Sequence, residues 1–325
     1  MEERLTAAGG ELVADLADGV ATVTLNRPAA LNALTMGMVD GLAAWLDAWQ
    51  ADARVRVVVL RGAGEKAFCA GADIRALRED FLAGGELSRR FFLAEYALDH
   101  RNHRYPKPVV AFMDGIVMGG GMGFAQGARL RVAGPRTRLA MPETAIGLFP
   151  DVGGSWFLPR CPGRLGAYLG LVGPTIGGAD SLAAGLVDAC ADPATLSGLP
   201  ATLAACAGAA NPMDAVDALR RTLAANAPEP GELARLRPAI DRHFAQPTIE
   251  AIVDSLQSES DPDFVPWADK TRALLDKRSP TMLKVTLEQL RRGAGLSLAQ
   301  CFRQEYVLVQ ACFRQGDFIE GVRAL

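Results

Sequence analysis

Up to about residue 190, short apolar runs alternate with turns rich in Gly, Pro and Asn. Beyond it, apolar residues recur mostly at helical spacing. Glu11–Leu16 and Val20–Leu25 are joined by Asp18-Gly19, and Val20-Ala-Thr-Val-Thr-Leu25 alternates apolar and polar, which predicts a β-hairpin. Asn26-Arg27-Pro28 stops the second strand. Leu34 to Ala51 has the spacing of an amphipathic helix, with Thr35 placed to cap it. Val55 to Gly62 (VRVVVLRG) predicts a buried strand. It leads through the small-residue turn of Lys66–Ile74 into a helix over 74–80, for which Asp73 reads first as the cap. Leu87 to His103 predicts a helix carrying Phe91, Phe92, Glu95 and Tyr96, and Glu95 taken alone reads as a surface carboxylate. Val109 to Met118 is predicted as one strand. It feeds Gly119, Gly120 and Gly121 and then a helix, so residues 109–128 repeat the strand–turn–helix of 55–80. Leu130–Ala133 adds a strand, and such alternation predicts an α/β fold around a largely buried sheet.

Leu165–Val172 predicts a helix, and Thr175–Ala189 contains another that ends near Gly185. Prolines 193, 200, 212, 228 and 230 punctuate the chain beyond that point. The helices expected there are 214–225, 247–258, 267–276, 280–292 and 298–315. The chain therefore divides into residues 1–190, which carry the candidate site, and a helical region, 191–325.

A net charge of −3 offers no basic face, which argues against nucleic acid as a partner. The six cysteines form no CxxC pair and read as free thiols in a reducing compartment. His100 and His103 share a helix face, but no cysteine stands near them, so no metal site is expected. Gly and charged residues interrupt every apolar run before 18 residues, so no membrane span is expected. The acidic N-terminus lacks an apolar signal core and a basic, Ser-rich presequence, which leads to the expectation of a cytoplasmic protein.

The candidate chemistry is densest between Gly115 and Arg160. A glycine run between a strand and a helix presents bare N–H groups and the positive end of a helix, a place for an oxyanion or a phosphate. Glu143 and Asp151 follow, each beside a proline in a mostly apolar stretch, and are candidates for acid/base or nucleophilic work.

These residues resemble the crotonase (enoyl-CoA hydratase/isomerase) superfamily. LNRPAALNAL (25–34), KAFCAGADI (66–74), GIVMGGGMGFAQGARLRVA (115–133) and GLVDA (185–189) carry that likeness. Within it the chain looks most like the 3-hydroxyisobutyryl-CoA hydrolases, through FFLAEYALDH (91–100), MPETAIGLFPDVGGSWFLPR (141–160), SPTMLKVT (279–286) and QEYVLVQACFRQGDFIEGVRAL (304–325). The resemblance implies a ββα spiral core with a C-terminal helical region. It also implies an acyl-CoA ester as substrate, no separate cofactor, and a homo-oligomer such as a trimer or hexamer. Its oxyanion donors fall on the amides of Ala72 and Gly120. Its CoA contacts fall on Ala70, Asp73 and Ile74, its catalytic pair on Glu143 and Asp151, and an acidic pocket residue on Glu95. Hydratases of the superfamily carry a glutamate three positions after the central glycine of the run, where this chain has Gly123. Such hydrolases also usually run on a little past the position of Leu325, with an acidic, Trp-containing tail. The resemblance thus favours thioester hydrolysis. An isomerase or hydratase using Glu143 alone, and a non-catalytic acyl-CoA binder, are the alternatives.

Overall fold

The computed structural model describes residues 3–325. A strand not expected from the sequence, β1 (Glu3–Ala7), pairs antiparallel with β2 (Leu12–Ala17). β2 and β3 (Val20–Leu25) form the expected hairpin. Asp18 and Gly19 take positive φ values of 52° and 80°, as a two-residue hairpin turn of this hand requires. α1 (Met36–Ala51) is capped by Thr35, whose side chain accepts from the Met38 amide.

From here the chain makes a repeated move. β4 (Val57–Gly62) is followed by β5 (Ala67–Cys69), β6 (Val109–Met113) by β7 (Ile116–Met118), and β8 (Leu130–Ala133) by β9 (Arg138–Ala140). The first strand of each pair joins a seven-stranded sheet, completed by β10 (Ala189–Cys190), in the order β1-β2-β3-β4-β6-β8-β10. The second joins a parallel three-stranded sheet, β5-β7-β9. Helices follow the first two pairs: α2 (Ile74–Leu82) and α3 (Leu87–Asn102), then α4 (Gly120–Gln126). This is the ββα spiral.

The expectation of one strand over Val109–Met118 is corrected. The chain breaks at Asp114-Gly115 and changes sheets. Gly115 has φ 81°, and a Cβ there would stand 2.6 Å from the Lys66 carbonyl oxygen, so the crossing needs glycine. Both halves are apolar, so hydrophobicity alone could not mark the break.

The apolar strands of the large sheet are buried on both faces, as parallel strands usually are. Val58, Leu60, Val109 and Ala111 face the main core. Val57, Val59, Val110, Leu130 and Val132 face the other way, onto Leu199, Leu203, Val216 and Leu223. Those last residues lie on α8 (Pro193–Gly208) and α9 (Pro212–Ala224), which follow α5 (Gly154–Phe157), α6 (Leu165–Val172) and α7 (Gly178–Ala183). Each such side chain removed from water contributes roughly 1.5–3 kcal/mol.

α8 and α10 (Glu232–His243) were not among the expected helices; Pro200, read as punctuation, lies inside α8, and Pro238 lies inside α10. Both prolines are exposed inside helices whose opposite faces are buried. α11 (Ile249–Gln257), α12 (Val265–Leu275), α13 (Pro280–Gly293) and α14 (Leu298–Gln315) fall near their expected places, and α15 (Asp317–Ala324) adds a final turn-back. α14 returns to α3, with Phe302 against Tyr96 and Phe313 against Phe92. α15 packs on the turn at Glu143–Ile146, with Phe318 fully buried. The helical region thereby reaches both walls of the candidate site. No helix among the described residues is long and apolar enough to cross a membrane.

Candidate active site

A cavity of about 600 Å³ lies between the two glycine-bearing turns, α3 and the loop of residues 142–152. Ala70, Ala72, Asp73 and Ile74 line it from one side, and Gly119 and Gly120 from another. Glu95, Glu143 and Asp151 also border it, so every site residue expected from the sequence reaches this one cavity. Leu325 closes part of its wall.

The two turns are in contact. Gly71, at φ 101°, sits so that a Cβ would stand 3.5 Å from the Gly120 amide nitrogen. Gly71 is thus beside Gly120, and Ala72, the next residue, lines the same cavity. Gly120 is the first residue of α4, where an N–H has no partner within the helix. Asp73 does cap α2, accepting from the Ala76 amide, and its other oxygen pairs with Arg27 at 3.2 Å. Its carboxylate is therefore committed to holding the turn, and what it offers the cavity is its position.

Glu143 opens the turn at Glu143–Ile146 and is 4 % exposed. A Cβ on Gly119 would stand 3.3 Å from its Oε1, which sets the carboxyl beside the Gly119–Gly120 turn. Its Oε2 has no hydrogen-bond partner among the described residues. Burial, then the Asp151 charge, pushes Glu143 well above the usual carboxylate range.

Asp151 is held more elaborately. Tyr96 donates to its Oδ2 at 2.6 Å. Burial lifts its pKa to about 6, and the Tyr96 bond works against that rise. Val152, the next residue, has φ 50°, a genuine strain for a β-branched side chain. Glu305 on α14 fixes this bend, accepting from the amides of Gly153 and Ser155 at 2.8 and 2.9 Å and from the Ser155 hydroxyl. Gln289 donates to the Pro150 carbonyl at 2.7 Å. Burial takes Glu305 itself to about 8.

Glu95 is corrected from a surface carboxylate to a buried one. It lies on the face of α3 that rests on α4, 1 % exposed, with Oε1 against Gly120 and unpartnered. Burial, then Asp151, raises its pKa well above normal. One turn further on, Asp99 is fully buried and its pKa is driven up by burial first and Glu95 next.

Asp99 also explains Gly123. A Cβ on Gly123 would run into Asp99 Oδ2 and stand 2.7 Å from Val152 Cβ. The place where a hydratase-like second glutamate would start is filled. The sequence reading missed the roles of Tyr96, Asp99 and Glu305. Acids at 95 and 99, one turn apart on a helix rich in Phe, Leu and Tyr, were the one available signal.

Among the described residues no group of three or more His, Cys, Asp or Glu side chains is arranged to hold a metal ion.

The enoyl-CoA hydratase/isomerase family matches residues 20–325. The mitochondrial 3-hydroxyisobutyryl-CoA hydrolase of Xenopus tropicalis is 41% identical over 322 residues, 98% of this chain and 83% of the relative. The human mitochondrial 3-hydroxyisobutyryl-CoA hydrolase is 37% identical over 98% of this chain and 82% of its own length. Among solved structures, a carnitinyl-CoA dehydratase from Mycobacterium thermoresistibile superposes with a TM-score of 0.87 at 41% identity, covering 97% of this chain and 89% of that one. An enoyl-CoA hydratase from Rhodobacter sphaeroides gives 0.86 at 36% identity, covering 97% and 88%.

Proposed function

Because the chain belongs to the enoyl-CoA hydratase/isomerase family, we propose that it is an acyl-CoA thioester hydrolase whose substrate is 3-hydroxyisobutyryl-CoA. The curated relatives named above supply the substrate. The observation that carries the reaction class is Gly123 under Asp99 and Val152. Water addition by the hydratase route uses two carboxylates around one water, and here the second has neither a side chain nor room for one.

In the proposed reaction the thioester carbonyl points its oxygen at the Ala72 and Gly120 amides. These donors meet the oxyanion as it forms, and losing one such donor costs about 3 kcal/mol of transition-state stabilisation. Asp151, near 6, is ionised at neutral pH, while burial and then the Asp151 charge push Glu143 and Glu95 well above the usual carboxylate range. Environments that drive neighbouring carboxyls apart in this way assign acid and base. Asp151 takes the Glu143 proton. Glu143 attacks the carbonyl carbon, the C–S bond breaks, and the thiolate receives the proton and leaves as CoA thiol. Water then cleaves the mixed anhydride, giving the carboxylate, returning one proton to Glu143 and releasing the other. A variant of the route has Glu143 activate water directly. Glu95 and Asp151 orient the substrate hydroxyl, and Ala70, Asp73 and Ile74 shape the path of the CoA arm.

A second reading, in which Glu143 shuttles a proton and the thioester stays intact, is favoured by the dehydratase and hydratase names of the two solved structures. Free-thiol release from 3-hydroxyisobutyryl-CoA separates the two. Thiol release by the wild type that Glu143→Ala abolishes supports the hydrolase. An unsaturated or hydroxylated ester interconverted without thiol release would replace it with the second reading. After a single turnover in oxygen-18 water, label in Glu143 marks an anhydride opened at the Glu143 carbonyl, and its absence favours direct water attack.

A further inference from the structure

Ten buried side-chain polar atoms lack a hydrogen-bond partner among the described residues, and five belong to one stripe of α3 and its C-terminal end. They are Glu95 Oε1, both oxygens of Asp99, Asn102 Oδ1 and His103 Nε2. The spacing is i, i+4, i+7 and i+8, which is a single helical face. That face rests on a row of glycines. A Cβ on Gly120 would meet Glu95 Oε1, one on Gly123 would meet Asp99 Oδ2, and one on Gly127 would stand 2.9 Å from Asn102 Nδ2. Any side chain at these positions would fill the row.

The stripe has two ends. Glu95 borders the reaction cavity. His103 borders a second, polar cavity of about 320 Å³ at the C-terminal end of α4, whose rim includes Gln126, Arg131 and the exposed Arg160. Unpartnered buried polar atoms are costly, and proteins ordinarily satisfy them with ordered water. Here the row links two cavities, so a proton entering at either end meets a polar group at each helical turn.

Hydrolysis of a thioester supplies a cargo. Above the carboxylate pKa, thioester and water give carboxylate, thiol and one proton. That proton is released where a bound CoA ester occupies the mouth of the cavity.

We propose that the Glu95–Asp99–Asn102–His103 stripe is a water-bridged proton exit from the reaction cavity to the second cavity. The proposal rests on the thioesterase reading for its cargo. Asp99 touches no substrate in this scheme. It accepts a proton on one oxygen and passes one from the other, and His103 relays through its ring nitrogens. Burial and Arg131 hold His103 down to about 4, so it stays neutral between transfers.

The test follows thiol and proton together by stopped flow in weak buffer, with 3-hydroxyisobutyryl-CoA, for the wild type, Asp99→Asn and His103→Leu. In the wild type the two signals should rise together. In both variants the first thiol should appear at the wild-type rate, the proton should lag, kcat should fall about tenfold or more, and KM should hold. High concentrations of imidazole or acetate should restore kcat, which a merely structural role would not allow. Protons that keep pace with thiol in both variants, or a loss of kcat that no buffer restores, would overturn the proposal. Absence of thiol release by the wild type would instead remove the thioesterase reading. The path is then tested by infrared spectroscopy. The Asp99 acid carbonyl band, identified by its loss in Asp99→Asn, should shift promptly in D2O in the wild type and slowly in His103→Leu. Equal rates would overturn it.

Discussion

The Tyr96 hydroxyl donates a 2.6 Å hydrogen bond to Asp151 Oδ2 across the wall of the cavity. The bond favours the ionised carboxylate and opposes the burial that lifts Asp151 to about 6. Tyr96→Phe should therefore raise the Asp151 pKa, and the acid limb of the kcat–pH profile should move to higher pH. A hydrogen bond to a charged group contributes about 1.5–3 kcal/mol, so kcat near pH 6 should fall by roughly ten- to a hundredfold. An unmoved acid limb would exclude Asp151 as the group that must ionise.

The same buried carboxyls make stability depend on pH. Their folded pKa values are raised, so between the ordinary and the folded value the native state binds more protons than the unfolded chain. Unfolding free energy then falls as pH rises through that window and stays low above it. For Asp151 the window runs from 3.8 to about 6, and for Glu305 from 4.5 to about 8. At 1.36 kcal/mol per pKa unit these are penalties on the order of 3 and 5 kcal/mol. Acids with lowered pKa values, such as the exposed Asp192 and the half-buried Asp217, lose their contribution only at more acidic pH. Urea denaturation should thus show a higher midpoint at pH 5.5 than at pH 8.5, and Glu305→Gln should flatten the slope. Equal midpoints would mean that these groups are not buried as described.

Gly123→Glu places the residue type of a hydratase at its sequence position without making room for it. Its Cβ meets Asp99 and Val152, and overpacking of this kind costs typically 1–3 kcal/mol. Thermal denaturation should shift down by several degrees, and assays with unsaturated acyl-CoA esters should show no gain in hydration. A stable variant with new hydratase activity would contradict the role assigned to Asp99.

α15 clamps the turn that carries Glu143. A Cβ on Gly321 would run into the backbone of Ile146, and the Ser279 hydroxyl donates to Asp317 at 2.9 Å while the Ser279 amide donates to the Thr144 carbonyl at 3.2 Å. Gly321→Val should push the helix off the turn. Unfolding free energy should drop by about 1–3 kcal/mol, with kcat reduced at temperatures where the variant is still folded. Unchanged kcat would show that the Glu143 turn holds itself.

Much of this molecule is local and was legible as such. The Asp18-Gly19 hairpin, the Thr35 cap, the buried VRVVVL strand and the glycine turn before α4 depend on neighbours a few residues apart. Periodicity and turn chemistry report those directly. Ala72, Gly120, Glu95, Glu143 and Asp151 were named through motifs that resemble a known family, and packing gathers all five around one cavity. What the tertiary structure decided is of another kind. One apolar run, 109–118, divides between two sheets because Gly115 must pass close to Lys66. α8 and α10 outlast their prolines because each buries a face, and burial outweighs the lost backbone hydrogen bond. Glu95 and Asp99 are buried because α4 offers glycines beneath them. Glu305 reaches across 150 residues to hold the bend at Val152. Sequence patterns carry the period of an element and so the face it buries. Which distant residue meets that face is settled when the elements pack, and the environments that set these carboxyl pKa values exist only then.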